Sequence, residues 1–391
     1  RRNINRGGID LVLNNKDLLS SEVFSKNKRK VKILSLETLM ENYENYKISS
    51  KNVKLIKLLS KVNYLHNVCM HYAKNKLRII IPSFVENDLR NFQEKYFSEI
   101  YRLLSFLEKN KKLIILNNNS IFLSTPKTLI KAISVVAKEK GIKVNGILHG
   151  NWMCHSKTIR PHFNEFMIYD LIYIDKNSHK PLFNKTLNSY KTFNLNKPIF
   201  KSLESNKYNN LKKKYKTQIP KVLNSVMILE VQLWCDDVRF DLPESMIIYE
   251  FYFRLCVILD SLGYKIFFKK RPKSQKIDYL KFFKGIKNIQ IIYDDIQNPE
   301  VMKLADTVIF VYGLSSTFLP LMCSNKKLIY FDCGWEKWHK DVMQLVKKRC
   351  EVIDAKYDNK NRIRFNQRDL KIALSPNKKH ENKSFFEKYL N

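Results

Sequence analysis

Short apolar runs recur along this chain, separated by stretches in which apolar residues return every three or four positions, the mark of strands alternating with amphipathic helices. The pattern is faintest over residues 1–110. There RKVKILSLETL and NKLRIIIPSFV read as strands, and NDLRNFQEKYFSEIYRLLSFLEKN carries apolar residues at helical spacing. From residue 112 it sharpens. KLIIL predicts a buried strand, Thr125-Pro126 supplies a cap and a first-turn proline, KTLIKAISVVAKEK predicts an amphipathic helix, and Gly141 stops it. IKVNGILHG returns as a second strand, so the pieces form a β-α-β unit with parallel strands and a right-handed crossover.

Residues 201–221, KSLESNKYNNLKKKYKTQIPK, are lysine-rich, closed by a proline and without an apolar period, and read as a surface segment or linker at a domain boundary. A second alternating series begins with the strand VLNSVMILEV. Asp241-Leu-Pro-Glu244 has the form of a capping box, because the Asp241 carboxylate can accept a free helix amide while Glu244 reaches back. A long helix through Leu262 follows, with Glu250 and Arg254 one turn apart, and Gly263 ends it. YKIFF, IQIIY, TVIFVY and KLIYF are further strands. Apolar runs spaced by helical signal predict parallel sheets covered on both faces. The expected fold class is α/β, with two tandem doubly wound, Rossmann-like domains. Their expected bounds are an N-terminal domain over 1–200, the basic segment 201–221, a C-terminal domain over 222–375, and a helix over 376–391 that packs back on the N-terminal domain.

Length agrees with two domains, since 391 residues exceed the usual size of one core. No apolar run approaches the roughly 18 residues of a membrane span, and 44% apolar content excludes a disordered chain. The sequence opens on Arg1 with no signal-peptide core, as a portion of a longer cytoplasmic chain would. Seven scattered cysteines without a Cys-x-x-Cys fit reduced thiols and argue against a zinc site or a disulfide framework. The net charge of +34 raises the question of nucleic acid, yet only 15 of the 71 basic residues are arginine, and the charge is spread along the whole chain. Nucleic acid is therefore not an expected partner. A lysine-rich surface of this kind adheres to anionic membranes and polyanionic substrates.

Parallel sheets bind ligands beyond the carboxyl ends of their strands, so the residues that follow each run are the candidates. His149-Gly150 ends KVNGILHG and offers an imidazole whose pKa suits a general base. His155, Arg160 and His162 follow in NWMCHSKTIRPHF, as further candidates or as loop polarity. Lys269, Lys270, Arg271 and Pro272 end the YKIFF strand, placing three cations where a phosphate can accept charge-assisted hydrogen bonds. Gly313, Ser315, Ser316 and Thr317 follow TVIFVY, where glycine permits close backbone approach and the hydroxyls sit at a helix start; simple capping is the competing reading. Asp236, Asp237 and Asp241 follow the first strand of the second series as carboxylates for a sugar hydroxyl or a base, Asp241 also serving as cap. GxGxxG, Walker and Asp-x-Asp motifs are absent from the sequence, so no metal is expected in the reaction.

The order of these features resembles the GT-B transferases of bacterial surface carbohydrate synthesis: capsule Kdo transferases, polysialyltransferases and CDP-glycerol glycerophosphotransferases. The resemblance covers about residues 112–335 and includes EFMIYDLIYIDKNSHKPLF after the His-Gly. It implies two domains around a cleft, the N-terminal one on the acceptor side and the C-terminal one binding the donor. It also implies His149 as base, the Lys269–Pro272 element on the nucleotide phosphates, and Ser315 and Ser316 as the Ser-Ser pair. Arg271 stands where the family has histidine, and Leu319-Pro320-Leu321 stands where many members have an acidic residue. The implied activity is metal-independent glycosyl transfer from a nucleotide-activated donor, a cytidine nucleotide such as CMP-Kdo or CMP-sialate, to a surface glycan or glycolipid at the inner face of the membrane. The donor is a co-substrate, and no further cofactor is implied. Alternatives are a CDP-glycerol-type glycerophosphotransferase, a nucleotide-sugar epimerase, and a non-catalytic basic module for membrane or nucleic acid.

Overall fold

The computed structural model describes residues 10–14, 31–35, 43, 45–48, 52–78, 80–109, 120–123, 134, 137–138, 141–148, 154–157, 166, 169–189, 197–215, 224–231, 245–270, 279–296, 298–313, 315–376 and 379–391. The chain divides into two compact units, the first made of 1–149, 163–173 and 196–201, the second of 150–162, 174–195 and 202–391. Segments 150–162 and 174–195, expected in the N-terminal domain, thus belong with the second unit. Their hydrogen bonds explain it: Lys157 N–H donates to Lys337 O (2.7 Å), His339 N–H to His155 O (3.1 Å), and Thr186 Oγ1 lies 2.9 Å from His339 Nε2.

The first unit holds β1 (Asp10–Asn14), β2 (Val31–Ser35), β3 (Ser120–Leu123), β4 (Lys143–Ile147), β5 (Leu171–Ile174) and β6 (Ile199–Ser202) in the order β2-β1-β3-β4-β5-β6. The pairs β1/β2, β1/β3, β3/β4 and β4/β5 are parallel. Strand order reverses between β1 and β3, so right-handed crossovers send helices to both faces. In the expected β-α-β unit, SIFL pairs with KVNGI from Ser120↔Lys143 to Leu123↔Gly146. KLIIL and Thr125-Pro126 lie outside the described residues. Gly141 does end the helix: its φ is +70°, and Ile142 N–H reaches back to Ala137 O at 2.9 Å. Within β4, Gly146 lies under the Tyr169 ring.

Two long helices, α1 (Val53–Asn75) and α2 (Ser83–Lys109), form a hairpin in this unit. The Asn52 side chain caps α1 by accepting from Lys54 N–H (3.0 Å) and Leu55 N–H (3.2 Å). Val62, His66 and Met70, one helical turn apart, are the buried face of α1, and His66 Nδ1 lies 2.8 Å from Gln93 Oε1 on α2. NKLRIIIPSFV, expected as a strand, is instead the hairpin turn and the start of α2. Arg78 adopts φ 53°, which breaks extended structure, and Pro82 stands just before the helix, where its missing N–H costs nothing. The apolar residues left at this end are open to solvent, Ile80 being 94% exposed.

The second unit holds β7 (Ser225–Leu229), β8 (Lys265–Lys269), β9 (Ile289–Ile292), β10 (Thr307–Phe310), β11 (Lys327–Asp332), β12 (Glu351–Tyr357) and β13 (Ile363–Phe365), ordered β13-β12-β11-β10-β7-β8-β9. All pairs are parallel except β12/β13. β7 and β10 are buried at every position, as strands covered on both faces must be. The helix α5 (Ser245–Ser261) lays Ile248, Phe251, Tyr252, Leu255 and Leu259 on this sheet, carries the expected Glu250–Arg254 pair at 3.0 Å, and ends at Gly263 with φ +79°. Asp241 and Glu244 lie outside the described residues.

The polar segment 201–221 also departs from expectation. Residues Lys207–Lys214 form a helix, here α4, followed by Tyr215. Tyr208 and Tyr215 are 2% and 1% exposed, with Leu211 between them half-buried, so three apolar side chains at helical spacing do find a core. Each ring removed from water contributes about 1.5–3 kcal/mol, and Lys212 on the same face sets its ammonium 3.9 Å from the centre of the Phe386 ring. The final helix, α11 (Ser384–Tyr389), likewise packs within the second unit: Ser178 Oγ donates to Tyr389 O (3.1 Å), Tyr389 OH donates to Asp341 Oδ2 (3.2 Å), and Phe385 is fully buried.

Candidate functional site

In the second sheet the strand order reverses between β7 and β10, so the carboxyl ends of these strands and of β8 border the crevice that such sheets present to ligands. At the β7 end, Tyr252 OH accepts from Val231 N–H (2.9 Å) and donates to Leu229 O (3.1 Å), while Tyr249 OH donates to Glu230 Oε1 (3.0 Å). Both tyrosines come from the buried face of α5, which thereby fixes the strand's exit and the buried Glu230 carboxylate. Asp236 and Asp237, six and seven residues beyond Glu230 in sequence, lie outside the described residues.

At the β8 end the three cations behave differently. Lys269 is buried, and its amine donates to Lys270 O. The Lys270 backbone donates to Ile292 O at 2.9 Å, and its ammonium stands 5.4 Å from the centre of the Tyr293 ring. Arg271 and Pro272 lie outside the described residues.

At the β10 end, Gly313 N–H donates to the Glu336 carboxylate, and Tyr330 OH donates to the other oxygen of the same group. Trp338 Nε1 donates to Tyr330 OH at 3.2 Å. Burial, with Glu336 beside it, pushes the Tyr330 phenol well above its usual pKa, so it stays a donor. A β-carbon on Gly313 would lie 2.3 Å from Trp338 Cζ2, so the close approach that glycine permits here is that of the indole. Beyond Gly313, Ser315 Oγ and Thr317 Oγ1 are 2.7 Å apart and half-buried, and Ser316 is exposed. The following helix, α8 (Phe318–Cys323), takes Thr317 as its cap residue without a side-chain capping bond, whereas the sequence placed Ser315 or Ser316 there. Ser315 and Thr317 thus bond each other and leave the first turn of α8 uncapped by either. Leu319, Pro320 and Leu321 are all buried.

The lysines after β8 and the hydroxyls after β10 therefore flank the same strand, β7, at the same edge of one sheet. Strands are spaced by about 4.8 Å, so the ends of β8 and β10, two strands apart, lie about 10 Å from each other. His149 and Gly150 lie outside the described residues, directly after Leu148 at the end of β4; Arg160 and His162 lie outside them as well. His155 is fully buried, its ring 6.0 Å from Phe318 and 5.3 Å from Phe385, so it is no loop residue. Glu230, Glu336 and Trp338 went unremarked in the sequence. Their available signals were a single carboxylate closing SVMILE and another between the two tryptophans of GWEKW.

No protein-family model and no curated protein matches the chain. Among solved structures, UDP-GlcNAc 2-epimerase of Methanocaldococcus jannaschii, in complex with UDP-GlcNAc and UDP, aligns at 14% identity and a TM-score of 0.45 over 72% of this chain and 75% of its own. S. aureus MnaA bound to UDP aligns at 10% identity and 0.40, over 88% and 84%. MurG of Acinetobacter baumannii aligns at 10% identity and 0.40, over 89% and 85%. These scores lie below 0.5 and assign no reaction or substrate to this chain.

Proposed function

We propose that this chain transfers a sugar from a nucleotide-activated donor to a glycan or glycolipid acceptor, and that the donor's phosphates meet the carboxyl edge of the second sheet. The observation that supports this most directly is the placement of Lys270 and of the Ser315–Thr317 hydroxyls on either side of β7, where the strand order reverses. Cations and hydroxyls there neutralise the charge that grows on a leaving phosphate. In the reaction, a bond forms between the acceptor oxygen and the anomeric carbon as the carbon–phosphate oxygen bond breaks. The His149 imidazole takes the acceptor proton, Arg271 joins Lys270 at the departing nucleotide, and Asp236 or Asp237 orients sugar hydroxyls. The donor is a cytidine nucleotide.

The acceptor lies at an anionic membrane surface. What supports this is the tip of the α1/α2 hairpin, where Leu77, Ile80 and Phe84 are exposed beside Lys74, Lys76 and Arg78. No helix among the described residues is long and apolar enough to cross a membrane, so contact through such a tip is peripheral.

Thermal shift with CMP, CDP, UDP and GDP tests the donor class. A rise in melting temperature with the cytidine nucleotides, reduced in Lys270→Ala, is expected. A response to UDP alone moves the donor to uridine, and silence with all four nucleotides favours a non-catalytic binding module. Nucleotide release that proceeds without any acceptor would favour an epimerase.

A further inference from the structure

We propose that Cys154, His155 and His179 bind one borderline-soft divalent metal ion, zinc foremost, which braces the second unit behind the Ser315–Thr317 corner. The donor atoms of the three side chains all lie within 4.8 Å of one another, and all three residues are fully buried. A sulfur with two imidazole nitrogens suits zinc in both softness and geometry, and a slight contraction brings the three onto one ion.

His179 is the least satisfied member. Neither ring nitrogen has a hydrogen-bond partner of acceptable geometry, although the ring is buried. The Tyr389 carbonyl lies close enough to act on the ring, but Ser178 Oγ already donates to it at 3.1 Å. A buried imidazole rarely leaves both nitrogens unused. A metal on one nitrogen, with the other N–H turned to the Tyr389 carbonyl, resolves both, and this is the usual way a ligating histidine is oriented.

The surroundings fit an ion as well. Asp175, which accepts from Tyr208 OH at 2.6 Å, acts electrostatically on both Cys154 and His179. Binding replaces the Cys154 thiol proton with the metal and releases that proton to solvent. The double positive charge is then balanced by one thiolate and the Asp175 carboxylate. The rings of Phe318, Phe385 and Tyr389 lie 6.0, 5.3 and 5.3 Å from His155 and shield the site, while three protein ligands leave the fourth tetrahedral position to a water. Cysteine spacing gave no sign of it, because the ligands are one adjacent pair and a histidine that the fold brings across from the next segment.

The test is metal content of the full chain, supplied with zinc during expression and dialysed against a weak chelator, with Cys69→Ser as an exposed-cysteine control. About one zinc per chain is expected in the wild type and the control, falling at least fivefold in Cys154→Ser and His179→Asn. Less than a tenth of an equivalent in the wild type, or full retention in both variants, overturns the proposal. Should either variant be insoluble, cobalt substitution of the wild type decides. A cobalt–thiolate charge-transfer band is expected, and its absence overturns the proposal. Neither readout depends on nucleotide, so it stands or falls apart from the reaction above.

Discussion

Gly146 in the first unit and Gly313 in the second both lie under an aromatic ring that a β-carbon would strike. The geometry is nearly equal: such an atom would sit 2.3 Å from Tyr169 Cε1 in one case and 2.3 Å from Trp338 Cζ2 in the other. Neither is a glycine of positive φ, so neither was needed for a turn. They differ in what the ring is fastened to. Tyr169 is fully buried and meets the middle of the sheet, where three of its atoms would lie within 2.7 Å of the new carbon. Trp338 is 9% exposed and belongs to a polar chain that runs from its indole N–H through Tyr330 to Glu336 and back to the Gly313 amide. One glycine lets a core close. The other lets a strand end be clamped by a carboxylate at the edge where we place the phosphates.

Substitutions separate these roles. Gly146→Ala has the largest expected effect, a loss of about 2–3 kcal/mol from overpacking in a site with no freedom to yield. Urea denaturation should show it, and Gly146→Ala with Tyr169→Leu should lose less than the sum of the two single changes. Gly313→Ala is expected to cost about 1–2 kcal/mol, because Trp338, 9% exposed, is less fully enclosed than Tyr169. It should also weaken the nucleotide-induced thermal shift, which Gly146→Ala leaves unchanged. Equal nucleotide responses in the two variants would reduce both glycines to packing.

Glu336→Gln comes next, at about 1–2 kcal/mol, since the Gly313 N–H and the Tyr330 O–H meet different carboxylate oxygens and the glutamine turns an NH2 donor toward one of them. Its signature is a changed tryptophan emission, because Trp338 is held through Tyr330. Thr317→Val is smallest, within about 0.5 kcal/mol in stability for a half-buried hydroxyl, yet it should lower nucleotide affinity. Unchanged affinity by calorimetry would remove that hydroxyl from the donor site.

The strands of the second unit were legible because β7, β8, β10 and β11 are nearly continuous apolar runs, and such runs arise when both faces are covered. Gly141 and Gly263 were legible as helix ends for an equally local reason. The helix α1 was not, because only a narrow seam of it is buried, at Val62, His66 and Met70, while Val53, Ile56, Tyr64, Leu65, Val68 and Tyr72 are exposed. The helix α4 was hidden by lysines that outnumber its buried Tyr208 and the buried Tyr215 that follows it. Of the candidate site, the lysine pair and the hydroxyls followed from their positions after strands. Glu336 did not, since it follows β11 and its partners are Gly313, beyond the end of β10, and Tyr330, within β11, and no spacing rule connects them. The membership of 150–162 and 174–195 was equally out of reach, resting on hydrogen bonds to residues near 338.

That membership has a consequence for how the molecule is made. During synthesis the chain emerges from its amino end, so the segments carrying His155 and Phe183 leave the ribosome long before the sheet and the final helix they are to join. They wait with apolar side chains uncovered until Phe318 and Phe385 have been added, a condition under which nascent chains call on chaperones. A gene cut at the lysine-rich stretch near 210 would make that wait permanent. The downstream half would keep its seven strands but lose the rings and imidazoles that cover α8 and α11, and it should be recovered in inclusion bodies unless the upstream half is expressed beside it.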